Sequence, residues 1–247
     1  RRDAVLYCPN PDGKTWDVIL HYAPQYGGPN SFRICDMGTG EVTEIETDRY
    51  YNVHIPKSVV GPDGKLYISI LGKPHIKVEI CVYDPATNTL ELNAFDMPDD
   101  MRGETHPLVL GWDGMLYAMG GHADRSVTAC QVDWRTGRVT FYGPMGPSHK
   151  PQGCWAYYGG VDDRYIYIAS GKVPWYLVAY DRNRHLRDTS GNDPAGRGGK
   201  RPPRALRLHG CRIQSGGDRR CPNRVLVVQR QGHSEKGRQG VATVAGA

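Results

Sequence analysis

Histidine is the side chain in this sequence best suited to chemistry, because imidazole titrates near neutral pH and can act as a base, an acid or a metal ligand. The 247-residue chain contains 9 histidines, and most of them precede residue 182. These are His21, His54, His75, His106, His122 and His149. His54, His106 and His149 lie in the segments YNVHIP, GETHPL and PSHKPQ. We predict that these three carry out catalysis or ligate a metal ion.

Other polar and aromatic residues follow the same segments. Tyr51 precedes His54 by three positions and is a candidate to share proton transfer. Cationic side chains nearby can hold an anionic ligand, and a tryptophan can stack on a sugar ring. The predicted substrate-binding residues are Lys57, His75, Arg102, His122, Lys150 and Trp175. The plain alternative is that each is a solvated loop residue or a packing residue.

Several other chemistries lack their motifs. The segment GGHADRS is not followed by the Gly-Lys-Ser/Thr of a phosphate loop, and no Gly-x-Ser-x-Gly elbow is present. The 7 cysteines form no Cys-x-x-Cys pair. Cys81 and Cys130 lie within apolar runs, so we interpret them as small buried residues.

Two motifs recur in step along the chain, and they predict the elements that position these residues. PDGKTW recurs as GPDGKLY, GWDGMLY and VDDRYIY, and its aspartates are spaced by 51, 50 and 50 residues: Asp12, Asp63, Asp113 and Asp163. A second motif begins as ICDMGTGEV, VYDPATNTL, QVDWRTGRV and AYDRNRH, with aspartates spaced by 48, 49 and 48 residues: Asp36, Asp84, Asp133 and Asp181. Matched periods of this length indicate a repeat fold.

Each repeat reads as four short antiparallel strands. Asp-Gly makes a tight turn, and runs such as KSVV, KLYISIL, VEICVYD and TLELNAF are rich in strand formers. The pattern therefore predicts an all-β chain and, within that class, a β-propeller. The predicted blades are 4–52, 53–101, 102–148 and an incomplete 149–181. We expect them to belong to a larger ring of six to eight blades.

The strand order predicts which loops share an end of the blades. The Asp-Gly turns and the turns at PATN and WRTG lie at one end. The loops after each second strand and the connections between blades lie at the other end, which is where the six histidines map. The connections lead into the innermost strands, so their histidines are expected to line a central funnel.

Charge divides the chain at residue 182. Residues 1–181 contain 16 Lys and Arg against 22 Asp and Glu, whereas residues 182–247 contain 15 against 4, including 13 arginines. The second region is predicted to be an irregular basic tail. It is either a nucleic-acid-binding tail, a linker or, as we prefer, the product of a reading-frame error, because the repeat breaks off within a blade.

The pair GPDGKLY and VYDPATNTLEL resembles the repeats of bacterial propellers of the streptogramin lyase, gluconolactonase-like and oligogalacturonate lyase groups. This resemblance covers residues 4–181 and implies a histidine-based site. It implies that His54, His106 and His149 abstract a proton or bind a divalent ion (Mn²⁺, Ca²⁺ or Zn²⁺). The cofactor is otherwise unknown.

We therefore expect a histidine-lined funnel that binds a small molecule or oligosaccharide. If the protein is an enzyme, we expect a carbon–oxygen lyase that acts by β-elimination on a uronate-type substrate. The alternative is a non-catalytic platform for protein interactions.

No apolar stretch is long enough to cross a bilayer, so no membrane partner is expected. Nucleic acid is expected only through the basic tail. The chain begins with Arg1, which we interpret as a truncated start. The sequence therefore does not distinguish a secreted or periplasmic protein from a cytoplasmic one. It does not indicate the oligomeric state either.

Overall fold

The structure is a computed structural model, and it describes most of the region before residue 183 together with two short segments beyond it. The described residues are 4–22, 30–47, 49, 57–72, 77–102, 107–145, 155–170, 176–182, 212–214 and 225–229. They form antiparallel β-sheets, so the predicted all-β class is confirmed.

The strands succeed one another in antiparallel groups of four. The first group is the sheet β1 (Ala4–Pro9), β2 (Trp16–Tyr22), β3 (Asn30–Asp36) and β4 (Val42–Thr47). The second group is β5 (Lys57–Val60), β6 (Leu66–Gly72), β7 (Lys77–Asp84) and β8 (Thr89–Glu91). Both groups run in chain order, as the repeat predicts.

A short strand joins the second group to the third. The third group is β10 (Leu108–Leu110), β11 (Leu116–His122), β12 (Val127–Asp133) and β13 (Arg138–Met145). Between them β9 (Met101–Arg102) pairs with β7 and with β11, so the two groups form one nine-stranded sheet.

The fourth group takes a strand from the region predicted as an irregular tail. It contains β14 (Ala156–Val161), β15 (Tyr165–Ser170) and β16 (Tyr176–Asp181). β18 (Val225–Gln229) pairs with β16, and β17 (Arg212–Gln214) pairs with β18. These two short strands lie in the region predicted as an irregular basic tail, and the hypotheses on the origin of residues 182–247 stay predictions.

The Asp-Gly turns have the geometry that their sequence demands. Gly13, Gly64 and Gly114 adopt φ values of 66°, 79° and 73°, a region that is strained for side chains with a Cβ. The aspartate before each glycine accepts a hydrogen bond from the backbone amide two residues later, as Asp12 does from Lys14 at 2.8 Å.

The fourth turn corrects the predicted alignment. Asp162, and not Asp163, accepts the turn amide of Arg164 at 2.8 Å and the hydroxyl of Tyr167 at 2.8 Å. The reason is the length of the turn, because the amide of Asp162 bonds to the carbonyl of Tyr165 three residues on. In the second group the equivalent bond from Gly61 spans four residues, to Lys65.

The central strands are buried on both faces. All seven residues of β6 are buried, and they alternate between two apolar clusters. Leu66, Ile68 and Ile70 pack against the first group, whereas Tyr67 and Leu71 pack toward the third. A third cluster lies between the third and fourth groups. Each strand group therefore packs its faces against its neighbours in the chain. The described strands do not close into a ring.

A buried hydrogen bond links the first two groups. The Tyr83 hydroxyl donates to Asp17 Oδ2 at 2.6 Å, and the two residues are 1% and 3% exposed. Asp17 Oδ1 has no hydrogen-bond partner within the described part of the chain. Tyr83 is therefore the main group that compensates for the burial of this carboxylate.

We expect Tyr83→Phe to lower the free energy of unfolding by about 1–3 kcal/mol, because it leaves a buried carboxylate oxygen without its donor. Urea denaturation followed by circular dichroism measures this. Tyr158→Phe is the matched control, since that side chain is 75% exposed. An equal loss in both variants would contradict the role assigned to the Tyr83–Asp17 contact.

Candidate functional site

The first strands of three groups lie side by side and form a groove. β10 contacts both β5 and β14. The groove has a volume of about 190 Å³. Its lining residues are Lys57, Ser58, Pro107, Leu108, Val109, Tyr157, Tyr158 and Gly159. The runs KSVV, PLVL and CWAYYG, each of which directly precedes the first turn of its group, therefore supply the walls of one concave surface.

The groove combines a cation, hydroxyl groups and aromatic rings over an apolar floor. Lys57 begins β5 and is exposed, and its ammonium carries three hydrogen-bond donors. Leu108 is 6% exposed and belongs to the floor. Tyr158 is 75% exposed, and its ring and hydroxyl are accessible to a ligand. Such a lining suits a small anionic or hydroxyl-rich ligand.

Tyr157 is held by an aromatic neighbour. Its ring meets that of Trp155 edge to face, with the centroids 6.0 Å apart. On the other side of β14, a Cβ on Gly159 would come 1.9 Å from Met119 Sδ, so this strand packs closely on the third group. The sequence analysis did not single out Ser58, Tyr157 or Tyr158. The run AYYGG could have indicated the two tyrosines, because it directly precedes the first turn of the fourth group.

Of the predicted site residues, Lys57, Arg102 and His122 are described. Lys57 lies in the groove, whereas Arg102 and His122 lie where β9 pairs with β11. The other predicted residues lie outside the described residues: His54, His106, His149, Tyr51, His75, Lys150 and Trp175. His106 directly precedes the groove residue Pro107 in the sequence. The backbone of His21 lies in β2, where it pairs with Ala4 and Phe32.

His122 ends β11 at the opposite end of the strand from the Asp-Gly turn. Its Nδ1 lies 2.8 Å from Asp124 Oδ1, and its ring stacks on Phe141 with the centroids 5.9 Å apart. Burial on its own would raise the pKa of Asp124, but hydrogen bonds from Ser126 and His122 outweigh it and lower the pKa. The pair is thus a positioned imidazole beside an ionised carboxylate.

Arg102 and Lys77 give this end a polar rim. Arg102 Nε donates to the carbonyl of Asp99 at 2.8 Å, and Lys77 Nζ lies 2.9 Å from Asp99 Oδ1. The side chain of Asp99 is 86% exposed, so the ion pair is solvated. Arg102 therefore supports the connection between the second and third groups, and no described contact places it in the groove.

A buried carboxylate that the sequence analysis missed lies on β7. Glu79 is 3% exposed, and its two oxygens accept from Arg49 Nε at 2.6 Å and Nη2 at 2.9 Å. Its side chain occupies the space above Gly72, where a Cβ would come 2.3 Å from Glu79 Oε1. Such a bidentate pair ties Arg49, which follows the first group in the sequence, to the second group.

The turn end of the third and fourth groups holds a polar network. Arg182 is 8% exposed, and its Nη1 donates to Asp113 Oδ2 at 2.7 Å and to the Tyr117 hydroxyl. Tyr117 donates to the same carboxylate oxygen at 2.8 Å, and Arg182 Nη2 donates to the carbonyl of Asp163 at 2.9 Å. Arg182 makes four hydrogen bonds and Tyr117 donates one within the protein, so we assign this network to stability.

The network controls the ionisation of Asp113. Burial on its own would raise the pKa of Asp113, but hydrogen bonds from Tyr117, the Met115 amide and Arg182 outweigh it and hold the pKa below its usual range. Burial, and then the same hydrogen bond to Asp113, raise the pKa of Tyr117. The carboxylate is therefore ionised and the phenol is neutral near pH 7.

We expect Asp113→Asn to lower the free energy of unfolding by about 1–3 kcal/mol at pH 7. A lowered folded-state pKa stabilises the fold above the unfolded-state pKa of about 3.9, and this contribution is lost as the pH falls through the folded-state value. The difference in the free energy of unfolding between Asp113→Asn and wild type should therefore become smaller below pH 4. Urea denaturation at several pH values measures it. The exposed Asp163→Asn is the control, and a pH-independent difference would contradict the charge-based explanation.

The comparisons with known proteins add no functional assignment. A scan against protein-family models and a search of curated proteins each find no match. Among solved structures, the chain is similar to Kuenenia stuttgartiensis hydrazine synthase at 18% identity and a TM-score of 0.49, with 74% of this chain and 54% of that chain covered. The chain thus spans about half the length of that neighbour. A likeness at this level carries no argument about function.

Within the described ranges, no three or more His, Cys, Asp or Glu side chains are grouped so that they could hold a metal ion. The predicted ligands His54, His106 and His149 lie outside those ranges. No helix among the described residues is long and apolar enough to cross a membrane.

Proposed function

We propose that the chain is part of a β-propeller whose inner-strand groove binds an anionic small molecule or oligosaccharide. The groove that joins Lys57, Ser58 and Tyr158 from two different strand groups carries this proposal. A surface built from separate repeats selects a ligand that reaches across them. The cation and the exposed aromatic ring together suit an acidic sugar, whose carboxylate pairs with lysine while its ring stacks on tyrosine.

The propeller interpretation rests on how the groups follow one another. They are consecutive antiparallel groups, of which the second, third and fourth each place their first strand at the groove. The central strand β6 of the second group is covered on both faces. Blades arranged around an axis have these properties. We propose a ring of six to eight blades, in which the Asp-Gly turns mark one end and the histidine-bearing loops mark the other.

The catalytic form of the proposal is β-elimination on a uronate. A base removes the proton from the carbon beside the carboxylate, the electron pair forms a double bond to the next carbon, and the glycosidic oxygen leaves. His106, which directly precedes the groove residue Pro107, and His54 and His149 are the proposed bases. Lys57 would stabilise the negative charge that develops on the carboxylate.

We expect Lys57→Gln to weaken binding of an oligogalacturonate at least tenfold, because the variant loses the cation that pairs with the ligand. Isothermal titration calorimetry with the full chain measures the affinity at two salt concentrations, since an ion pair weakens as salt rises. Lys14→Gln is the matched control, because Lys14 is an exposed lysine at the Asp-Gly turn of the first group. Equal affinity of the two variants would place the ligand elsewhere.

A second assay tests catalysis separately from binding. The full chain is mixed with polygalacturonate, with and without added Mn²⁺, Ca²⁺ or Zn²⁺, and the absorbance of the unsaturated product is followed. We expect a rate that His106→Asn lowers at least a hundredfold. His209→Asn, outside the predicted set, should retain the rate. Binding without product would remove the lyase proposal and leave the binding proposal standing.

The alternative function, a platform for protein interactions, has one observation in its favour. Two large apolar side chains at the turn end are exposed, namely Trp112 at 88% and Met37 at 62%. They lie in the Asp-Gly turn of the third group and in the second turn of the first group. A chain that neither binds nor cleaves an acidic sugar would favour this platform.

A further inference from the structure

Two buried oxygen atoms without a hydrogen-bond donor lie where the first group packs on the second, at the end that carries the Asp-Gly turns. Asp17 is 3% exposed, and its Oδ2 accepts from the Tyr83 hydroxyl at 2.6 Å. Within the described part of the chain, no donor reaches Asp17 Oδ1 or Asn10 Oδ1, although both atoms are buried. Burying polar oxygens without a partner costs free energy, so these two atoms call for a further partner.

The strand register places the two residues on one face of the β1–β2 hairpin. Asp17 pairs with Cys8, which packs in the apolar cluster between the first and second groups. Asn10 lies two positions after Cys8, and its amide extends the hairpin by donating to the carbonyl of Thr15 at 2.9 Å. Residues two apart in a strand share a face, so Asn10 and Asp17 are diagonal neighbours on the face toward the second group.

A chain of hydrogen bonds determines which end of the Asn10 amide is the acceptor. The Thr15 hydroxyl donates to Asp12 Oδ2 at 3.0 Å, so its single proton is used there. Thr15 Oγ1 can therefore only accept from Asn10 Nδ2, which lies 2.9 Å away. The nitrogen of the Asn10 amide thus faces Thr15, and the oxygen is the atom that needs another partner.

A second carboxylate lies directly across the sheet from Asp17. Asp36 on β3 pairs with Asp17, and side chains at such positions have Cβ atoms about 4.5–5.5 Å apart. Hydrogen bonds from the amides of Thr39 and Gly38 hold the pKa of Asp36 below its usual range, so this carboxylate is ionised near pH 7. Like charges directly opposite each other destabilise a sheet. Asp36 is only half-buried, which leaves the pair a route to solvent.

The contact between the third and fourth groups shows how a carboxylate at this end is compensated. There Asp113 Oδ2 accepts from Arg182 Nη1 at 2.7 Å. No Lys or Arg side chain of the described residues makes such a pair with Asp17. Lys65, in the first turn of the second group, pairs with Asp84 at 2.8 Å instead. The contact between the first and second groups therefore has the carboxylates without the protein cation.

From this arrangement we propose that the contact between the first and second groups binds one calcium ion through Asp17 Oδ1, Asn10 Oδ1 and the Asp36 carboxylate. Ca²⁺ takes about six to eight oxygen ligands at about 2.3–2.6 Å in flexible geometry, and water supplies the remaining ones. Mg²⁺ requires a nearly ideal octahedron and gives up its waters reluctantly, so this irregular, partly buried set favours Ca²⁺. Two carboxylates and an amide form a smaller set than the clusters of three ionisable ligands that the described ranges lack.

Isothermal titration calorimetry with CaCl₂ alone tests the site on the full chain after treatment with EDTA. Wild type should bind Ca²⁺ more tightly than Mg²⁺. Asp17→Asn should weaken calcium binding at least a hundredfold, because this variant keeps an acceptor for Tyr83 but loses the charge. Asp163→Asn is the matched control, since it removes an exposed carboxylate at the same end, and it should leave the affinity unchanged.

Urea denaturation at constant ionic strength gives a second measurement. Added CaCl₂ should raise the urea midpoint of wild type but not that of Asp17→Asn, because a ligand that binds only the folded state stabilises it. A wild type that binds no calcium, or an Asp17→Asn variant that binds it equally, would overturn the inference and assign the two oxygens to buried water.

One further variant separates this site from the predicted histidine ligands. His106→Asn should keep the calcium affinity of wild type. Calcium binding that disappears in His106→Asn and persists in Asp17→Asn would place the ion at the histidine-bearing loops and overturn the inference. The acidic-sugar groove contains none of the proposed calcium ligands, so sugar binding by Asp17→Asn should match that of wild type. The two proposals therefore fail in different experiments.

Discussion

The structure depends on covering both faces of its central strands. Strand β6 is buried along its whole length, and its residues alternate between two clusters that belong to different neighbours. A sheet that is apolar on both faces cannot cover them alone, so the second and third groups each need a group on either side. This requirement explains why the apolar runs are nearly continuous and why the groups follow the chain without crossing.

The position of the groove follows from the same packing. Because consecutive groups stack face to face, their first strands are brought together, and residues about fifty or one hundred positions apart in the sequence share one surface. Lys57 and Ser58 come from the second group, and Tyr157 and Tyr158 come from the fourth. Polar groups on such a surface are held by rigid strands, which suits ligand recognition better than a loop does.

Local chemistry made much of the fold predictable from sequence. Asp-Gly turns and alternating strand formers placed KSVV at β5, and the runs PLVL and AYYGGV contain β10 and β14. Long-range contacts were not predictable, because no local pattern specifies them. The Arg49–Glu79 pair, the joining role of β9 and the pairing of β18 with β16 all depend on residues far apart in the chain. The choice of Asp163 failed because the fourth turn is one residue shorter.

A single extra residue distinguishes the first turn of the first group from that of the second and third groups. Between Gly13 and the paired part of β2 the turn is longer by one position than in the second group, so Asp17 occupies the place that Tyr67 has there. Tyr67 satisfies its hydroxyl within its own group, through Asp63, whereas Asp17 reaches across to Tyr83. Near-identical repeats can stack in the wrong order during folding. Among the described groups only the first and the second share such a buried tyrosine–aspartate bond, so it distinguishes this pair of neighbours from the other pairs.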